Sequence, residues 1–206
     1  MSRGAQDPMK LKRTYDRKVS PRGTYQGPWT DKRNRTRAPR WIPQVGNSFG
    51  LPAGVSCPGK TEFCKSCYAY GLETGWPQVG ALTDHNFNLL LDAGTVDAMT
   101  ALLDEMIGSY VAEATHMGLT GDELVFRIHW DGDFFSVDYA LAWAYVIARY
   151  PQIQFWAYTR SFRPDLDVVP VLLCGLDNLT LYLSADRENI GDALAQCERH
   201  PELLLA

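Results

Sequence analysis

Apolar residues recur at three- and four-residue steps through Val96, Met99, Leu103, Met106, Tyr110, Val111 and Ala114. That spacing predicts a helix over residues 95–117 with one apolar face. Thr95 suits its start, with Asp97 in the first turn, and Gly118 its end. Residues 80–92 read as an earlier helix. Downstream, short apolar runs alternate with helical periodicity. Strands are predicted at 124–130, 153–159, 179–184 and 203–206. Helices are predicted at 137–149 with Ser136 as cap, at 165–174, and at 188–199. Pro170 should kink or shorten the middle one. The strand starts fall about 25 residues apart, room for a helical crossover, so the strands should run parallel. Their runs are apolar on both faces, as in strands covered by helices on either side. Residues 44–56, punctuated by Gly and Pro, hold at most a short strand.

Composition then bounds the architecture. A chain of 206 residues with 46% apolar and 12% aromatic side chains can build a real core, which excludes wholesale disorder and fibrous designs. One domain with an appendage is expected. The fold class is α/β. An eight-unit barrel takes about 250 residues, so residues 41–206 hold about six units, a partial (βα)6-type barrel or an open parallel sheet. The final PELLLA stops in what reads as mid-strand, so the chain either ends abruptly there or continues into further elements. No apolar run reaches the about 18 residues of a spanning helix, so no membrane is expected. The first residues lack the apolar stretch of a secretory signal, which makes the cytoplasm the expected location.

The net charge of −4 conceals a division. Residues 1–40 carry twelve Lys/Arg against three Asp, a local charge of +9, while residues 41–206 carry eight basic and 21 acidic side chains, or −13. The first segment also contains Pro8, Pro21, Pro28 and Pro39 and no apolar periodicity, so it reads as a basic, mobile arm. Lys10, Lys12, Arg13, Arg17, Lys18, Lys32, Arg33, Arg35, Arg37 and Arg40 are its candidates for neutralising phosphates of DNA or RNA. Tyr15, Tyr25 and Trp29 interleave with them and could stack on bases. The alternative is a tail that folds back on its own acidic domain or aids assembly with a protein partner.

Each predicted strand ends in polar residues: His129, Asp131, Gly132, Asp133 and Ser136; Tyr158, Thr159, Arg160 and Ser161; Ser184, Asp186, Arg187 and Glu188. Parallel α/β folds bind ligands beyond the carboxyl ends of their strands, where these loops converge. Gly132-Asp133 brings backbone and carboxylate close to a ligand, and Arg160 calls for an anionic partner. Asp133 and Arg160 are the candidate catalytic pair. Ser136 reads first as a helix cap, and His129 equally as a core or a catalytic histidine. Asp131 and Asp133 form a D-x-D pair that lacks the further acidic ligands of a calcium or magnesium site.

The sharpest signal is Cys57-Pro-Gly-Lys-Thr-Glu-Phe-Cys64-Lys-Ser-Cys67-Tyr-Ala, a C-x6-C-x2-C spacing in a turn-rich stretch. Three thiolates so close can hold one soft metal centre. Zinc would need a fourth ligand from His85, His116, Cys174, Cys197 or water, none at zinc-finger spacing. A [4Fe–4S] cluster on three cysteines would leave one iron open to an exogenous ligand. Cys174 and Cys197 otherwise read as core packing.

The cysteine stretch with Tyr68 and Ala69, then His129-Trp130-Asp131-Gly132-Asp133-Phe134-Phe135-Ser136, then Trp156-Ala157-Tyr158-Thr159-Arg160-Ser161, resembles a group of phage-borne three-cysteine-motif proteins. That group is in turn similar to the radical S-adenosylmethionine superfamily. The resemblance covers about residues 45–190. It implies a [4Fe–4S] cluster on Cys57, Cys64 and Cys67 near the first strand, and S-adenosylmethionine as cofactor. It places Gly132 and Asp133 at the methionine amino group, and Thr159, Arg160, Ser161 and Ser184 toward the ribose or carboxylate. If phage-encoded, the protein would work in the host cytoplasm. Six residues rather than the usual three separate the first two cysteines here. Ser66 stands where an aromatic usually precedes the last cysteine.

Two functions follow as expectations. One is a radical S-adenosylmethionine-type enzyme acting on a nucleotide or nucleic acid. The other is a non-catalytic nucleic-acid- or protein-binding factor with a structural zinc or iron–sulfur site. The phosphate-binding, dinucleotide, zincin and serine-hydrolase motifs are all absent.

Overall fold

The computed structural model describes residues 9–16, 23–26, 29–30, 34–37, 40–43, 45–166 and 168–206. Its first part is not the featureless arm of the sequence reading. Strands β1 (Gly23–Gln26) and β4 (Arg40–Pro43) pair antiparallel, and between them β2 (Trp29–Thr30) pairs with β3 (Thr36–Arg37). Residues 9–16 also depart from that reading, because they dock on the domain. Thr14 and Ser48 exchange backbone hydrogen bonds, Leu11 is buried, and the Lys12 amide donates to Asn86 Oδ1 at 2.8 Å. The reason is electrostatic as well as apolar. Lys10 pairs with Glu105 at 2.7 Å and Arg13 with Glu113 at 2.8 Å. This is the fold-back onto an acidic surface that the charge division allowed.

The helices come in two groups. α1 (Tyr68–Gly75), α2 (Pro77–Ala93) and α3 (Val96–His116) follow the cysteine stretch. Thr95 caps α3 as its sequence predicts, accepting from the Ala98 amide. α1 lies where no helix was predicted. It has no side-chain cap, two glycines in eight residues and Ala69 alone buried, and it is tied down by the Tyr68 hydroxyl donating to the Trp130 carbonyl and the Ala53 amide donating to Glu73.

The second group belongs to the sheet. β5 (Val125–Ile128), α4 (Val137–Arg149), β6 (Gln154–Thr159), α5 (Val168–Leu173), β7 (Leu179–Leu183), α6 (Ile190–Arg199) and β8 (Leu204–Leu205) alternate as predicted. The four strands are parallel, in the order β5-β6-β7-β8, and the sheet is open. Ser136 caps α4 through the Tyr139 amide. α5 begins only at Val168, which puts Pro170 in the first turn, where a missing amide costs little. Residues 47–51 extend the sheet beside β5. Arg127 N donates to Asn47 O, and Phe49 N to Arg127 O.

The helices cover one face of the sheet. Phe126, Ile128, Phe155, Ala157, Leu181 and Leu183 are buried there, with Trp143 of α4 edge-on to Phe49 and Phe155. Truncating such a residue to Ala costs about 3–5 kcal/mol. The other face corrects the expectation of two-sided coverage. Gln154, Tyr158 and Thr180 are exposed, and Trp156 and Tyr182 half-buried. On it Tyr158 packs against both Trp156 and Tyr182, and Arg127 lies over the Trp156 ring at 4.8 Å. Among the described residues no helix is long and apolar enough to cross a membrane.

Candidate functional site

The loop that carries the cysteines leaves residues 47–51 at the carboxyl edge of the sheet and folds over the ends of β6 and β7. Gly59 makes this possible. A Cβ there would lie 1.9 Å from the Arg160 carbonyl oxygen, so only a glycine lets the loop rest on the end of β6. The loop is then tied down. Thr61 Oγ1 donates to Asp186 Oδ2 at 2.5 Å, and the Glu62 amide to Glu188 Oε1 at 3.0 Å.

Under this loop lies a cavity of about 390 Å³. Cys57, Cys64 and Cys67 all line it, together with Gly132, Asp133, Thr159, Arg160 and Ser184. Each of these was singled out from sequence. All three thiols bear on the Tyr70 hydroxyl, whose pKa is raised first by burial and then by their proximity. Burial, and next the Asp133 carboxylate, push the Cys57 thiol up to about 12. The three sulfurs do not all lie within 4.8 Å of one another, the spacing that Cys174, His200 and Glu202 meet elsewhere.

Asp133 is fully enclosed and accepts from three donors: Thr159 Oγ1, the Phe134 amide and the Arg160 amide, each at 2.7 Å. Burial raises its carboxyl to about 6 against these hydrogen bonds. Arg160 does have the anionic partner that its position demanded, but it is internal. Its Nη1 donates to Asp186 Oδ2 at 2.6 Å and to Thr61 Oγ1 at 3.3 Å, and its guanidinium lies 5.7 Å from the Phe63 ring centre. Asp186 is held below the usual carboxylate range, first by the Thr61 hydroxyl and also by Arg160. Ser161 turns away from the cavity, its hydroxyl donating to the Phe134 carbonyl at 2.8 Å. Gly132 lines the cavity, but its φ of 78° and the tight fit of Leu51 and Ser56 against it are what require glycine.

Asp131 and Asp133 do not converge as a D-x-D metal pair. Asp131 turns to Glu73, and burial first, then that neighbouring carboxylate, raises its pKa. His129 is buried and adopts a left-handed φ of 60°. Its Nε2 meets the Tyr139 hydroxyl at 2.9 Å, and burial pushes its pKa down to about 3, so the ring is neutral. Around the cavity the buried His129 Nδ1, Trp130 Nε1 and Asp131 Oδ2 have no hydrogen-bond partner.

Sequence reasoning missed several cavity residues. Arg127, a charge inside the apolar run of β5, was the readable one; it pairs with Asp16 and lines the cavity. Tyr70 lies on the unpredicted α1 and carried no signal. Of the proposed phosphate contacts, Lys10 and Arg13 are engaged with α3, as above, and Lys12 is held to Asn86 through its main chain. Arg35 is exposed, and Arg37 and Arg40 stand in β3 and β4. Arg17, Lys18, Lys32 and Arg33 fall outside the described residues.

Fold and site together define a class: an open parallel α/β sheet whose carboxyl edge is roofed by a loop bearing three cysteines. The chain belongs to the Gene product 88 (GP88) family, whose profile matches residues 9–201. It is 42% identical over 186 residues to the Gene 88 protein of Mycobacterium phage L5, spanning 88% of this chain and 70% of that protein. To the Gene 88 protein of Mycobacterium phage D29 it is 41% identical over 183 residues, spanning 87% and 69%. No solved structure matches.

Proposed function

We propose that Cys57, Cys64 and Cys67 hold a [4Fe–4S] cluster with one open iron, and that the protein is a radical S-adenosylmethionine-type enzyme acting on a nucleotide or nucleic acid. The observation that carries this reading is the meeting of all three thiols on one cavity at the carboxyl edge of the sheet. The donor set is soft and suits iron–sulfur chemistry. Around a single zinc at about 2.3 Å the sulfurs would stand about 3.8 Å apart, closer than the trio is gathered here. His129 and Asp131, whose Nδ1 and Oδ2 are left without a partner, line the same cavity.

Held by Cys57, Cys64 and Cys67, such a cluster would supply one-electron reductive cleavage of S-adenosylmethionine and so radical chemistry on a substrate. The chain's own residues hold and orient. Ser184 and the backbone about Gly132 present polar groups to the ligand. Asp133 and Arg160 fix the positions of these groups by joining strand ends and cysteine loop. The sequential strand order, with residues 47–51 beside β5, fits a segment of a (βα)6-type barrel whose inner face is the uncovered one. Tyr158 belongs both to the cavity and to that face, so Trp156, Tyr158 and Tyr182 offer stacking surfaces to a base beside the site. Arg17, Lys18, Lys32, Arg33, Arg35, Arg37 and Arg40 supply positive charge for its phosphates. The protein works in the cytoplasm of the infected host.

A second reading has one observation in its favour: Asp133 and Arg160 are both satisfied internally. In it the cysteines hold a structural zinc or cluster, and the protein binds nucleic acid or another protein without turnover. Purification without oxygen, with iron, sulfide and zinc measured beside the visible spectrum, separates the two. Iron and sulfide with a spectral change on adding S-adenosylmethionine are expected. One zinc held by the trio, without visible absorption, would remove the enzyme.

A further inference from the structure

At the opposite pole of the sheet, where helices end and strands begin, a second set of metal-binding groups comes together. Cys174 follows α5, its amide closing on the Pro170 carbonyl. His200 caps α6, its amide donating to the Gln196 carbonyl at 2.9 Å. Glu202 lies in the turn that leads directly into β8. Three separate elements thus deliver a thiol, an imidazole and a carboxylate whose ligand atoms all lie within 4.8 Å of one another.

The spacing inside the set is informative. His200 Nδ1 and Glu202 Oε1 stand 3.9 Å apart, too far for a hydrogen bond. Ligands around a tetrahedral zinc, at about 2.0–2.3 Å from the ion, stand about 3.3–3.8 Å from each other, so small rotamer changes close the set. A further thiol stands close by, outside the set that lies within 4.8 Å, and could swing in as a fourth donor. Cys197 lies in the last turn of α6 and His200 is the residue that caps that helix, so both stand at its carboxyl end. Its thiol and the Glu202 carboxylate both bear on Cys174. Cys174 and Cys197 are free thiols, only partly buried, so an ion can reach them.

We propose that Cys174, His200, Glu202 and Cys197 form a zinc site that ties the ends of α5 and α6 to the start of β8. Two thiolates, a carboxylate and a neutral imidazole satisfy a borderline-soft divalent ion. Binding releases the two thiol protons to solvent. The site closes four positions and is structural. It stands apart from the cysteine cavity and does not depend on what that cavity holds. β8 is two residues long and exposed, so the clamp would supply the anchorage that its own pairing with β7 gives weakly.

The test uses the full chain, stripped with a chelator and titrated with cobalt(II), whose tetrahedral thiolate complexes absorb in the visible. The expected signal survives in the variant carrying Cys57→Ser, Cys64→Ser and Cys67→Ser. It disappears with Cys174→Ser and Cys197→Ser together, and zinc displaces the cobalt. His200→Asn weakens binding at least about tenfold. Loss of the signal with the first three cysteines and its retention without Cys174 and Cys197 would overturn the proposal. A second measurement needs no variant: zinc should protect Cys174 and Cys197 from alkylation in the wild-type chain. Equal labelling with and without zinc would likewise overturn it.

Discussion

Asp133 and Arg160 are joined through the main chain rather than by their charges. The Arg160 amide donates to Asp133 Oδ2 at 2.7 Å, while the Arg160 guanidinium reaches across to Asp186 at 2.6 Å. Two residues that a sequence presents as a catalytic pair therefore act first as successive links between β5, β6 and the loop before α6. The cysteine loop hangs on the far end of that chain through Thr61.

Asp133→Ala should destabilise the protein by about 2 kcal/mol, because it leaves the Thr159 hydroxyl and two amides without their acceptor. Asp133→Asn should cost less, since it keeps an acceptor on one side. Urea denaturation measures both. Equal stability of Asp133→Ala and wild type would show that the carboxylate is not a structural link.

Gly59→Ala should leave the sheet folded and spoil the cavity. Its methyl group would meet the Arg160 carbonyl, and the loop, not the strand, would give way. Hydrogen exchange should rise across residues 57–67 and stay unchanged in β5 and β6. Iron retention after anaerobic purification should fall with it. A variant with wild-type exchange in the loop contradicts the close approach.

Arg160→Met and Asp186→Asn should couple. Both side chains are about seven-eighths buried, so the pair is partly shielded from water. A double-mutant cycle should return about 1–2 kcal/mol of interaction energy, reduced by the remaining solvent screening. A coupling of zero would mean that the loop is secured by its Thr61 and Glu62 hydrogen bonds without the ion pair.

The acid limb of stability should depend on His129. Its folded pKa is about 3, below the 6.5 of the free side chain, so the unfolded chain binds the proton more readily. Its contribution is intact above pH 6.5 and drains away as the pH falls toward 3, by on the order of 4 kcal/mol. Asp133, raised to about 6, works in the opposite sense between there and its unfolded value. The difference between wild type and His129→Asn isolates the histidine, and asparagine tolerates the left-handed backbone. A pH-independent difference would mean that the histidine binds its proton equally well folded and unfolded, against the burial that lowers its pKa.

If the proposed contact with nucleic acid holds, Tyr158→Ala should lower affinity for single-stranded oligonucleotides several-fold and cost only about 1–2 kcal/mol of stability, because the side chain is 37% exposed and packs on Trp156 and Tyr182. Fluorescence anisotropy at fixed salt reads the first and thermal melting the second. Unaltered affinity would move the nucleic-acid contact away from the sheet.

Sequence periodicity was enough for the helices and strands from residue 80 onward, because each is long or strongly patterned and closes with local signals, such as Thr95 and Ser136 at helix starts. The phase of the polar clusters with the strand ends was equally readable. It follows from parallel connectivity alone that those ends share an edge. Hidden from that reading was which face of the sheet stays open. Phe155 and Ala157 alternate with Trp156 and Tyr158, and an aromatic serves as well on a binding face as in a core, so apolarity did not distinguish them.

The linear chain by itself determined the α/β alternation, the three-cysteine loop and the carboxyl-edge location of the polar residues, since all three depend on local spacing. Only the tertiary structure decided that residues 9–16 join the domain, that Arg160 is spoken for by Asp186, and that Cys174 meets His200 and Glu202. Those are contacts between residues distant along the chain. Their formation depends on the packing of whole elements, which no local pattern encodes.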